Sequence, residues 1–487
     1  MGFEALARGR KAASVDAGPV EGPWDLPDGW RWERLGTLGE WFGGGTPSKS
    51  VAAFWSNGRI PWVSPKDMKR FDLDDTEDHI TDAAVAGSST KLVPARSVIC
   101  VMRSGILKHS FPVALTSRPM TLNQDLRAVH PRPDVSPRYL AYFLRSAAQS
   151  ILHECSKDGT TVDSIEAGRL MQVPVPLPTQ RTAQDAIVAR IDALFAEIDE
   201  GEAALAEARA AVETYRKALL KAAVTGELTA DWRAANPPQE TGEQLLQRIL
   251  ADRRARWHAD PKNARKKYTE PAGPDTDGLP ELPERWAWAS LAQLLSGIEA
   301  GLNVKAHGRP PAEGETGIVK ISAVTWDEFD EGQSKALFLN TKIDERNLIA
   351  VGDLLISRAN TIELVGAPAI VRRLSKRLVL SDKILRLIVP REFKEWLYFV
   401  IKSTFGRQHI ESRSTGNQLS MRNISQDSLR ALPVPIPPVE ELDMLLDMLH
   451  VGWREQRFLS EWLADNSVSS TLHQSILAAA FRGELAA

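Results

Sequence analysis

The sequence predicts an α+β protein built from two mixed α/β domains in tandem, each followed by a long helix. Three observations lead to this fold class. The chain has 487 residues, which is too long for one ordinary hydrophobic core. Its second half repeats landmarks of the first half in the same order. Within each half, β-leaning sequence gives way to a helical pattern of apolar residues.

The repeat is defined by three landmarks. "LPDGWRWERLGTL" at 26–38 returns as "LPERWAWASLAQL" at 282–294, an offset of 282 − 26 = 256. "VPVPLP" at 173–178 returns as "LPVPIP" at 432–437, with an offset of 432 − 173 = 259. "LKAAVTGEL" at 220–228 returns as "LAAAFRGEL" at 477–485, with an offset of 477 − 220 = 257. One order at nearly one offset indicates a tandem duplication.

Each half follows the same internal plan. Apolar runs bounded by turn residues predict buried strands, for example "SVICVM" (97–102), "DLLISR" (353–358) and "ILRLIV" (384–389). The proline-rich junctions are then expected to end all regular structure. A long helix follows in each half and is predicted to end near Gly226 and Gly483, because glycine is common just after a helix.

The first long helix carries a heptad pattern that is interrupted only at Gly201. Its seam consists of Ile191, Leu194, Ile198, Leu205, Ala208, Val212, Tyr215 and Leu219. The second helix is less regular, with Leu442, Leu445, Leu449, Leu459, Leu463 and Ile476. Because the helices are duplicates, we expect them to pack against each other with approximate two-fold symmetry. The alternative, in which each helix packs only on its own domain, remains open.

These patterns divide the chain into six segments. They are an N-terminal extension (1–23), a first domain (24–178), a first helix (179–235), a basic helix and linker (236–278), a second domain (279–437) and a C-terminal helix (438–487). Within the fourth segment a helix is predicted from Gln244 to Trp257. A basic cluster lies there, formed by Arg253, Arg254, Arg256, Arg265, Lys266 and Lys267. It can be a solvated linker or a contact to DNA phosphates.

Composition excludes several classes of protein. The net charge of −3 argues against a protein that grips a polyanion over its whole surface, although local basic strips remain compatible with it. No run of about 18 apolar residues occurs, so no membrane span is predicted. Two cysteines, Cys100 and Cys155, cannot form a disulfide framework or a zinc site. They are expected to be buried thiols in a cytoplasmic protein.

Signatures of catalysis are absent from the sequence. "WFGGGTPSKS" (41–50) is not a nucleotide loop, because Ser48 precedes Lys49 and Pro47 removes an amide donor. "NPPQ" (236–239) has glutamine where adenine methyltransferases carry an aromatic residue. No H-E-x-x-H or G-x-S-x-G motif occurs. The sequence therefore favours a binding protein, with no catalytic or metal-binding residue predicted.

The Trp-x-Trp openings, "GGGTPSKS" with "FWSNGRIPWVSPKDM" (within 43–68), the "PVPLP" and "PVPIP" junctions and the "GEL" ends resemble one family. This family is the specificity subunit of type I restriction–modification systems. The resemblance covers about residues 24–232 and 279–487. The Gly-Gly-Thr-Pro segment is absent from the second half, which has "EAGLNVKAHGRPPAEGETGIVKIS" (299–322) instead. The first loop of the second domain is therefore not assigned from the resemblance.

The resemblance implies a non-catalytic protein with two target-recognition domains that each read one half of a bipartite double-stranded DNA site. It also implies that the two helices form an antiparallel coiled coil. Two methylation subunits would dock on this coiled coil, and restriction–translocation subunits would join them for cleavage. No cofactor is expected in this chain, whereas S-adenosylmethionine, ATP and Mg²⁺ are expected in the partner subunits.

Candidate DNA-binding residues are polar side chains suited to phosphates or base edges. In the first domain they are Thr46, Ser48, Lys49, Ser64, Lys66, Arg103, Lys108 and Lys157. In the second they are Lys320, Ser322, Arg358, Asn360, Thr361, Lys383, Arg413, Asn417 and Gln418. Arg103 and Arg358 are favoured because both follow equivalent predicted strands. A second functional hypothesis is a duplicated scaffold protein that binds other proteins and not DNA.

Overall fold

The computed structural model describes residues 20–157, 163–325, 328–418, 421–465 and 469–485. The chain divides into two compact units. Unit 1 comprises residues 1–205 with 467–487, and unit 2 comprises residues 206–466. Most of the predicted N-terminal extension, residues 1–19, lies outside the described residues. Within the described ranges, no helix is both long and apolar enough to cross a membrane.

The first half of the chain alternates short strands and helices before one long helix. Its strands are β1 (Trp30–Arg34), β2 (Gly39–Gly43), β3 (Ile60–Val63), β4 (Asp72–Leu73), β5 (His79–Ile80), β6 (Leu92–Val93), β7 (Val98–Val101), β8 (Val113–Thr116), β9 (Met120–Leu122), β10 (Leu126–Pro131), β11 (Ser156–Lys157), β12 (Ser164–Ile165) and β13 (Pro174–Pro178). Its helices are α1 (Ala52–Trp55), α2 (Asp82–Gly87), α3 (Pro137–Ser146), α4 (Ala148–Cys155), α5 (Ala167–Gln172) and α6 (Arg181–Val224).

The second half repeats this alternation and ends in two helices. Its strands are β14 (Ala287–Ser290), β15 (Gly297–Ala300), β16 (Gly317–Val319), β17 (Ser334–Ala336), β18 (Leu354–Ser357), β19 (Ala359–Asn360), β20 (Pro368–Ile370), β21 (Leu378–Val379), β22 (Ile384–Ile388), β23 (Thr415–Gln418), β24 (Met421–Asn423) and β25 (Pro433–Ile436). Its helices are α7 (Ala230–Ala235), α8 (Gly242–Ala259), α9 (Leu291–Leu294), α10 (Phe393–Lys402), α11 (Thr404–Arg413), α12 (Gln426–Arg430), α13 (Val439–Asp465) and α14 (Ser469–Arg482).

The two units share one sheet topology. In unit 1 the central sheet has the order β2-β10-β7-β8-β4, and in unit 2 it has the order β15-β22-β18-β20. The neighbouring strands in β2-β10-β7-β8 and in β15-β22-β18-β20 are all antiparallel to each other. A parallel pair lies in a second sheet of each unit, β3 with β9 and β16 with β21. This shared order confirms the predicted duplication and the mixed α/β fold.

The proline-rich junctions are strands, so the prediction that they end regular structure is wrong. β13 pairs antiparallel with β1, and β25 pairs with β14, so the two landmarks that flank each domain lie side by side. Trp32 lies opposite Pro176, and Trp288 lies opposite Pro435. Leu35 N–H donates to the Val173 carbonyl at 2.9 Å, which places the odd-numbered residues toward β1. The alternating prolines therefore face away from the partner strand, where no amide donor is needed.

The outward-facing proline carbonyls accept hydrogen bonds from helix side chains. The Tyr139 hydroxyl donates to the Pro176 carbonyl at 2.7 Å in unit 1. The Trp396 indole N–H donates to the Pro435 carbonyl at 2.7 Å in unit 2. Both donors are fully buried. These bonds attach α3 to β13 in unit 1 and α10 to β25 in unit 2.

In unit 2, the end of α6 and α13 run antiparallel. Arg216 of α6 contacts Trp453 of α13, whereas Arg209, which lies earlier in α6, contacts Leu463, which lies later in α13. The Arg216 guanidinium lies 3.8 Å from the Trp453 ring centroid, and Arg209 donates to the Leu463 carbonyl. Tyr215, predicted in the seam, is 56% exposed. The heptad pattern placed Tyr215 in the seam, but its neighbour Arg216 faces α13 instead. The planar guanidinium of Arg216 covers the Trp453 ring.

In unit 1, the start of α6 packs with α14. The Phe195 and His473 rings lie 4.3 Å apart, and Phe481 of α14 contacts Tyr139 of α3 at 5.1 Å. Each long-helix segment therefore packs on a helix from the other half of the sequence and on a domain core. Gly226 and Gly483 follow α6 and α14 in the left-handed conformation, as predicted for C-terminal glycines.

Lys402 provides a pH-dependent test of the helix packing in unit 2. Its Nζ lies 4.9 Å from the Trp453 ring centroid, and burial, then the nearby Arg216 and Arg407, lower its pKa to about 7. The unfolded chain binds more protons than the folded chain between pH 7 and the usual lysine pKa of 10.5. Stability from this group therefore rises with pH through that window. We expect Lys402→Met to raise the melting temperature most below pH 7 and progressively less toward pH 10.

Thermal unfolding at a series of pH values measures this difference, with the exposed Lys221→Met as the matched control. A stability gain from Lys402→Met that stayed constant from pH 6 to pH 10 would contradict the assignment.

Candidate nucleic-acid interface

A polar turn joins β9 to β10 in unit 1. It consists of Asn123, Gln124 and Asp125. The Asp125 N–H donates to the Asn123 side-chain oxygen at 3.0 Å, which closes the turn. The main-chain carbonyl of Asp125 accepts from Met102 N–H at 2.8 Å and from Arg103 N–H at 3.2 Å. The turn is thereby attached to the segment that follows β7.

The turn brings together three side chains that face solvent. Arg103 donates through Nε to the Asp125 carboxylate at 2.7 Å, and the guanidinium remains 57% exposed. The Gln124 amide nitrogen donates to the other Asp125 oxygen at 3.4 Å. The Thr46 hydroxyl donates to the Gln124 amide oxygen. The Asp125 carboxylate thus holds Arg103 and Gln124, and Gln124 in turn holds Thr46.

Gly44, two residues before Thr46, is required by the same turn. A Cβ on Gly44 would lie 1.6 Å from the Asn123 carbonyl oxygen, so any other residue would force the loop away. Gly45 N–H donates to the Leu122 carbonyl at 2.8 Å. The "GGGTPSKS" segment is therefore a loop that packs its backbone on the polar turn.

Four other candidates of unit 1 lie in or beside this loop. Ser48 and Lys49 are exposed, and the Ser48 hydroxyl lies 2.8 Å from that of Ser50. Ser64 is 7% exposed and its hydroxyl donates to Asp67 at 2.8 Å in a capping box, so the structure shows a local role for it. Lys66 is paired with Asp78 at 3.0 Å and with Glu77 at 3.1 Å, contacts that raise its pKa.

Lys157 and Lys108 complete the unit 1 set. Ser164 pairs with Lys157 in the β11–β12 ribbon and with Arg103 in a separate bridge, so both cations share one backbone neighbour. Lys157 and Lys108 are exposed, and Lys108 ends a short 3-10 helix that begins two residues after Arg103.

Unit 2 builds the same turn with different side chains. Ser381, Asp382 and Lys383 lie between β21 and β22. Leu302 N–H donates to the Leu380 carbonyl at 2.8 Å, as Gly45 does to Leu122 in unit 1. A Cβ on Gly301 would lie 2.1 Å from the Leu380 carbonyl oxygen. The first loop of the second domain, which the sequence left unassigned, is therefore the backbone equivalent of the glycine loop.

Arg103 and Arg358 follow equivalent strands but are not equivalent residues. Arg358 N–H donates to the Lys383 carbonyl and its own carbonyl accepts from Ile424 N–H. Met102 makes the same two bonds in unit 1, with Asp125 and Ile165. Arg358 therefore occupies the place of Met102, one residue earlier than Arg103. Because successive side chains on an extended strand point to opposite faces, Arg103 and Arg358 are not interchangeable positions, although both follow equivalent strands as predicted.

The other unit 2 candidates surround the same turn or lie on neighbouring elements. Asn360 pairs with Arg422 across the β19–β24 ribbon, and its amide donates to the Thr325 hydroxyl at 3.3 Å. Ser322 donates to the Gln333 side chain at 2.9 Å. Lys383 is 58% exposed and lies 3.4 Å from Asp382.

The remaining predicted residues are placed as follows. Lys320 is the half-buried N-cap of a 3-10 helix, Thr361 is half-buried after β19, Arg413 is exposed at the end of α11, and Asn417 and Gln418 lie in β23. The side chain of Asn417 lies outside the described residues.

Sequence reasoning missed Gln124 and Asp125, which organise the unit 1 surface. The signal available was a polar "NQD" at 123–125 between two apolar runs, a pattern typical of a turn. This pattern did not predict which side chains contact the turn, because Thr46 is 78 residues from Gln124 in sequence and Arg103 is 22 residues from Asp125.

The two cysteines have no catalytic surroundings. Both are free and buried, as predicted. Burial raises the pKa of the Cys100 thiol to about 12 and that of Cys155 to about 11, so neither is a reactive thiolate. Among the described residues, no group of three His, Cys, Asp or Glu side chains is arranged to hold a metal ion.

Comparison with known proteins finds similar sequences among restriction–modification proteins. Residues 27–208 match the family described as the type I restriction modification DNA specificity domain. The chain is 44% identical to the EcoR124I/EcoR124II specificity subunit of Escherichia coli over 174 residues, which cover 35% of this chain and 43% of that subunit. It is 22% identical to the EcoKI specificity subunit of Escherichia coli K12 over 476 residues, which cover 95% of this chain and 90% of that one.

Solved structures agree with the fold. The HsdS subunit from Thermoanaerobacter tengcongensis covers 95% of this chain with a TM-score of 0.54 at 17% identity, and 99% of that chain is covered. A chain from work on the assembly and conformational transition of a type I R-M system has a TM-score of 0.63 at 19% identity, with 95% of this chain and all of that chain covered. These likenesses extend through both units and the long helices. Residues 27–208 therefore carry the type I restriction modification DNA specificity domain, and the relatives matched along the rest of the chain are type I specificity subunits.

Proposed function

We propose that this chain is the non-catalytic DNA sequence-recognition subunit of a type I restriction–modification complex. The observation that carries the proposal is the duplicated turn. Both units support a turn of three polar residues with the same backbone hydrogen bonds, while the side chains differ. A shared backbone with different side chains suits two domains that read two different half-sites of one DNA target.

In unit 1 the three side chains match the groups that read base edges. Glutamine can bind adenine through its amide oxygen and nitrogen together, and arginine can bind guanine in the same bidentate way. The Thr46 and Asp125 contacts leave Gln124 with one further acceptor site and one further N–H, which is the pair that adenine requires. Gln124 is therefore the proposed adenine reader, and Asp125 is a positioning residue for Arg103.

In unit 2 the corresponding turn offers other chemistry. Asp382 at the position of Gln124 can accept from the amino group of cytosine, and Lys383 can donate to guanine or a phosphate. The half-sites read by the two units are accordingly expected to differ in sequence.

The proposed partners follow from the family. Two methylation subunits would dock on the long helices, and restriction–translocation subunits would join them in a cytoplasmic complex. S-adenosylmethionine, ATP and Mg²⁺ would be bound by those partners. The exposed apolar side chains of α13, including Phe458 (68% exposed) and Trp462 (56% exposed), offer surface for such docking.

Gel-shift titration of the chain together with its methylation subunits tests the proposal. A labelled duplex that carries the methylated site is competed with unrelated duplexes of the same length. We expect preferential binding to the site by a factor of about 10³ or more at physiological salt. Equal competition by all duplexes would support a protein-binding scaffold in place of a DNA reader.

A further inference from the structure

The fourth segment of the chain holds a concentrated positive charge that the half-site readers do not use. Residues 248–267 contain eight Lys or Arg and two Asp, a net charge of 8 − 2 = +6. The whole chain has a net charge of −3, so the remainder carries −3 − 6 = −9. Such separation of charge is typical of a local contact to a polyanion.

This segment is folded onto unit 2 and is only partly a linker. A capping box at Thr241 begins α8, and Leu245, Leu246 and Ile249 are buried in the unit 2 core. A Cβ on Gly242 would lie 2.1 Å from the Ile436 carbonyl oxygen of β25. The first half of α8 is thus fixed against the domain, and its second half extends along the surface.

The chain after α8 reverses direction and contacts the end of α8 through side chains. The Trp257 and Tyr268 rings lie 5.3 Å apart in an edge-to-face contact. The Asn263 amide donates to the Trp257 carbonyl at 3.2 Å, and Arg254 pairs with Glu270. The residues between the two rings therefore form an ordered turn at the end of the helix.

Three of the eight cations have partners outside α8, and a fourth, Arg256, donates to the Asp252 carbonyl within α8 at 3.3 Å. Arg248 pairs with Glu240 at 2.8 Å, Arg254 with Glu270, and Arg253 donates to the Ala292 carbonyl. Arg256 and the other four are exposed and have no carboxylate partner within the described residues. We name these five the basic turn: Arg256, Lys262, Arg265, Lys266 and Lys267.

We propose that the basic turn binds the phosphate backbone of double-stranded DNA as a sequence-independent contact, separate from the half-site readers. An acidic protein surface is the other class of polyanion. Protein interfaces are depleted in lysine and centred on apolar side chains. The two aromatic rings of this region face each other, and none of its described residues is a large exposed hydrophobic side chain. The composition therefore favours nucleic acid.

The position of the basic turn fits a duplex held by unit 2. α8 packs on α9, and α9 packs on α12, which begins three residues after β24. β24 pairs with β19, which carries the candidate DNA-binding residue Asn360. Two steps of about 8–10 Å between helix axes lie well within one DNA turn of about 34 Å. Burial lowers the pKa of Arg253, and Arg430 at the end of α12 is close enough to lower it further, so positive charge continues from α8 to α12.

The inference rests on the proposed function and is tested in the complex with the methylation subunits. The variant carries Lys262→Gln, Arg265→Gln, Lys266→Gln and Lys267→Gln. DNA affinity is measured for the specific duplex and for an unrelated duplex across a series of salt concentrations. We expect both affinities to fall by a similar factor and the specificity ratio to stay unchanged. The slope of log K against log[salt] should decrease by about 0.9 for each phosphate that the variant no longer neutralises.

Arg248→Gln is the control, because it removes a cation of the same basic segment (248–267) that Glu240 already neutralises. It should leave the slope unchanged, and thermal melting should show both variants folded. An unchanged slope in the fourfold variant overturns the inference, as does weakened binding of the methylation subunits with DNA affinity intact. Loss of sequence preference in the unmodified complex would instead overturn the proposed function.

Discussion

Glu441→Ala is expected to lower the free energy of unfolding by about 3–5 kcal/mol, because it leaves the half-buried Arg233 without its counter-charge and the buried Thr229 hydroxyl and Trp286 indole without their acceptor. The Glu441 side chain is 1% exposed. One carboxylate oxygen accepts from Thr229 at 2.7 Å and from Arg233, and the other accepts from the Trp286 indole at 2.9 Å. This single residue of α13 thus connects the segment after α6 to the Trp-x-Trp strand. Denaturant unfolding followed by tryptophan fluorescence measures the change.

The neighbouring Glu440→Ala is the control, since Glu440 is exposed on the same helical turn and should change stability by less than about 0.5 kcal/mol. Equal effects of the two substitutions would contradict the network. Near the start of α6 in unit 1, Gln184 is fully buried and also bridges elements by hydrogen bonds to Ser136 and Pro178.

Gln124→Ala is expected to weaken binding of the specific duplex by about 1–3 kcal/mol, or roughly 5- to 150-fold, and to relax recognition at one base pair. The substitution removes the amide that Thr46 and Asp125 orient. Thr46→Val should have a smaller effect on the same base pair, because the amide remains but loses its fixed direction. Competition titration with duplexes varied at each position measures both effects.

Gln172→Ala serves as the control, because this glutamine is exposed at the end of α5 in the same unit and should alter no base preference. If Gln124→Ala weakened all duplexes equally, Gln124 would contact the backbone and not a base.

The sequence was sufficient to predict the duplication and the long helices. These features depend on patterns that are local or repeated, such as the tryptophan motifs and the terminal glycines. Pairing between distant segments was not predictable. The alternating prolines of β13 were expected to end structure, yet their missing amides face away from β1, and only the partner strand reveals this.

The surface of unit 1 that we propose reads DNA consists of Thr46, Arg103, Gln124 and Asp125, and it was predictable only in part. Thr46 and Arg103 were found from residue type and position, and the structure brings both to one turn. Gln124 and Asp125 were missed because a polar turn has the same appearance in sequence whether it organises a site or only reverses the chain. The one-residue difference between Arg103 and Arg358 follows from backbone bonding, which comparison of two short strands in sequence does not specify.

The central claim is that each domain reads one half-site. The most direct test is to map methylated adenines in DNA from cells that carry the complete system, first with this chain and then with residues 24–178 exchanged for the first domain of another family member. The account predicts one bipartite methylated sequence for the native chain and a change in only one half after the exchange. A change in both halves, or in neither, would contradict it.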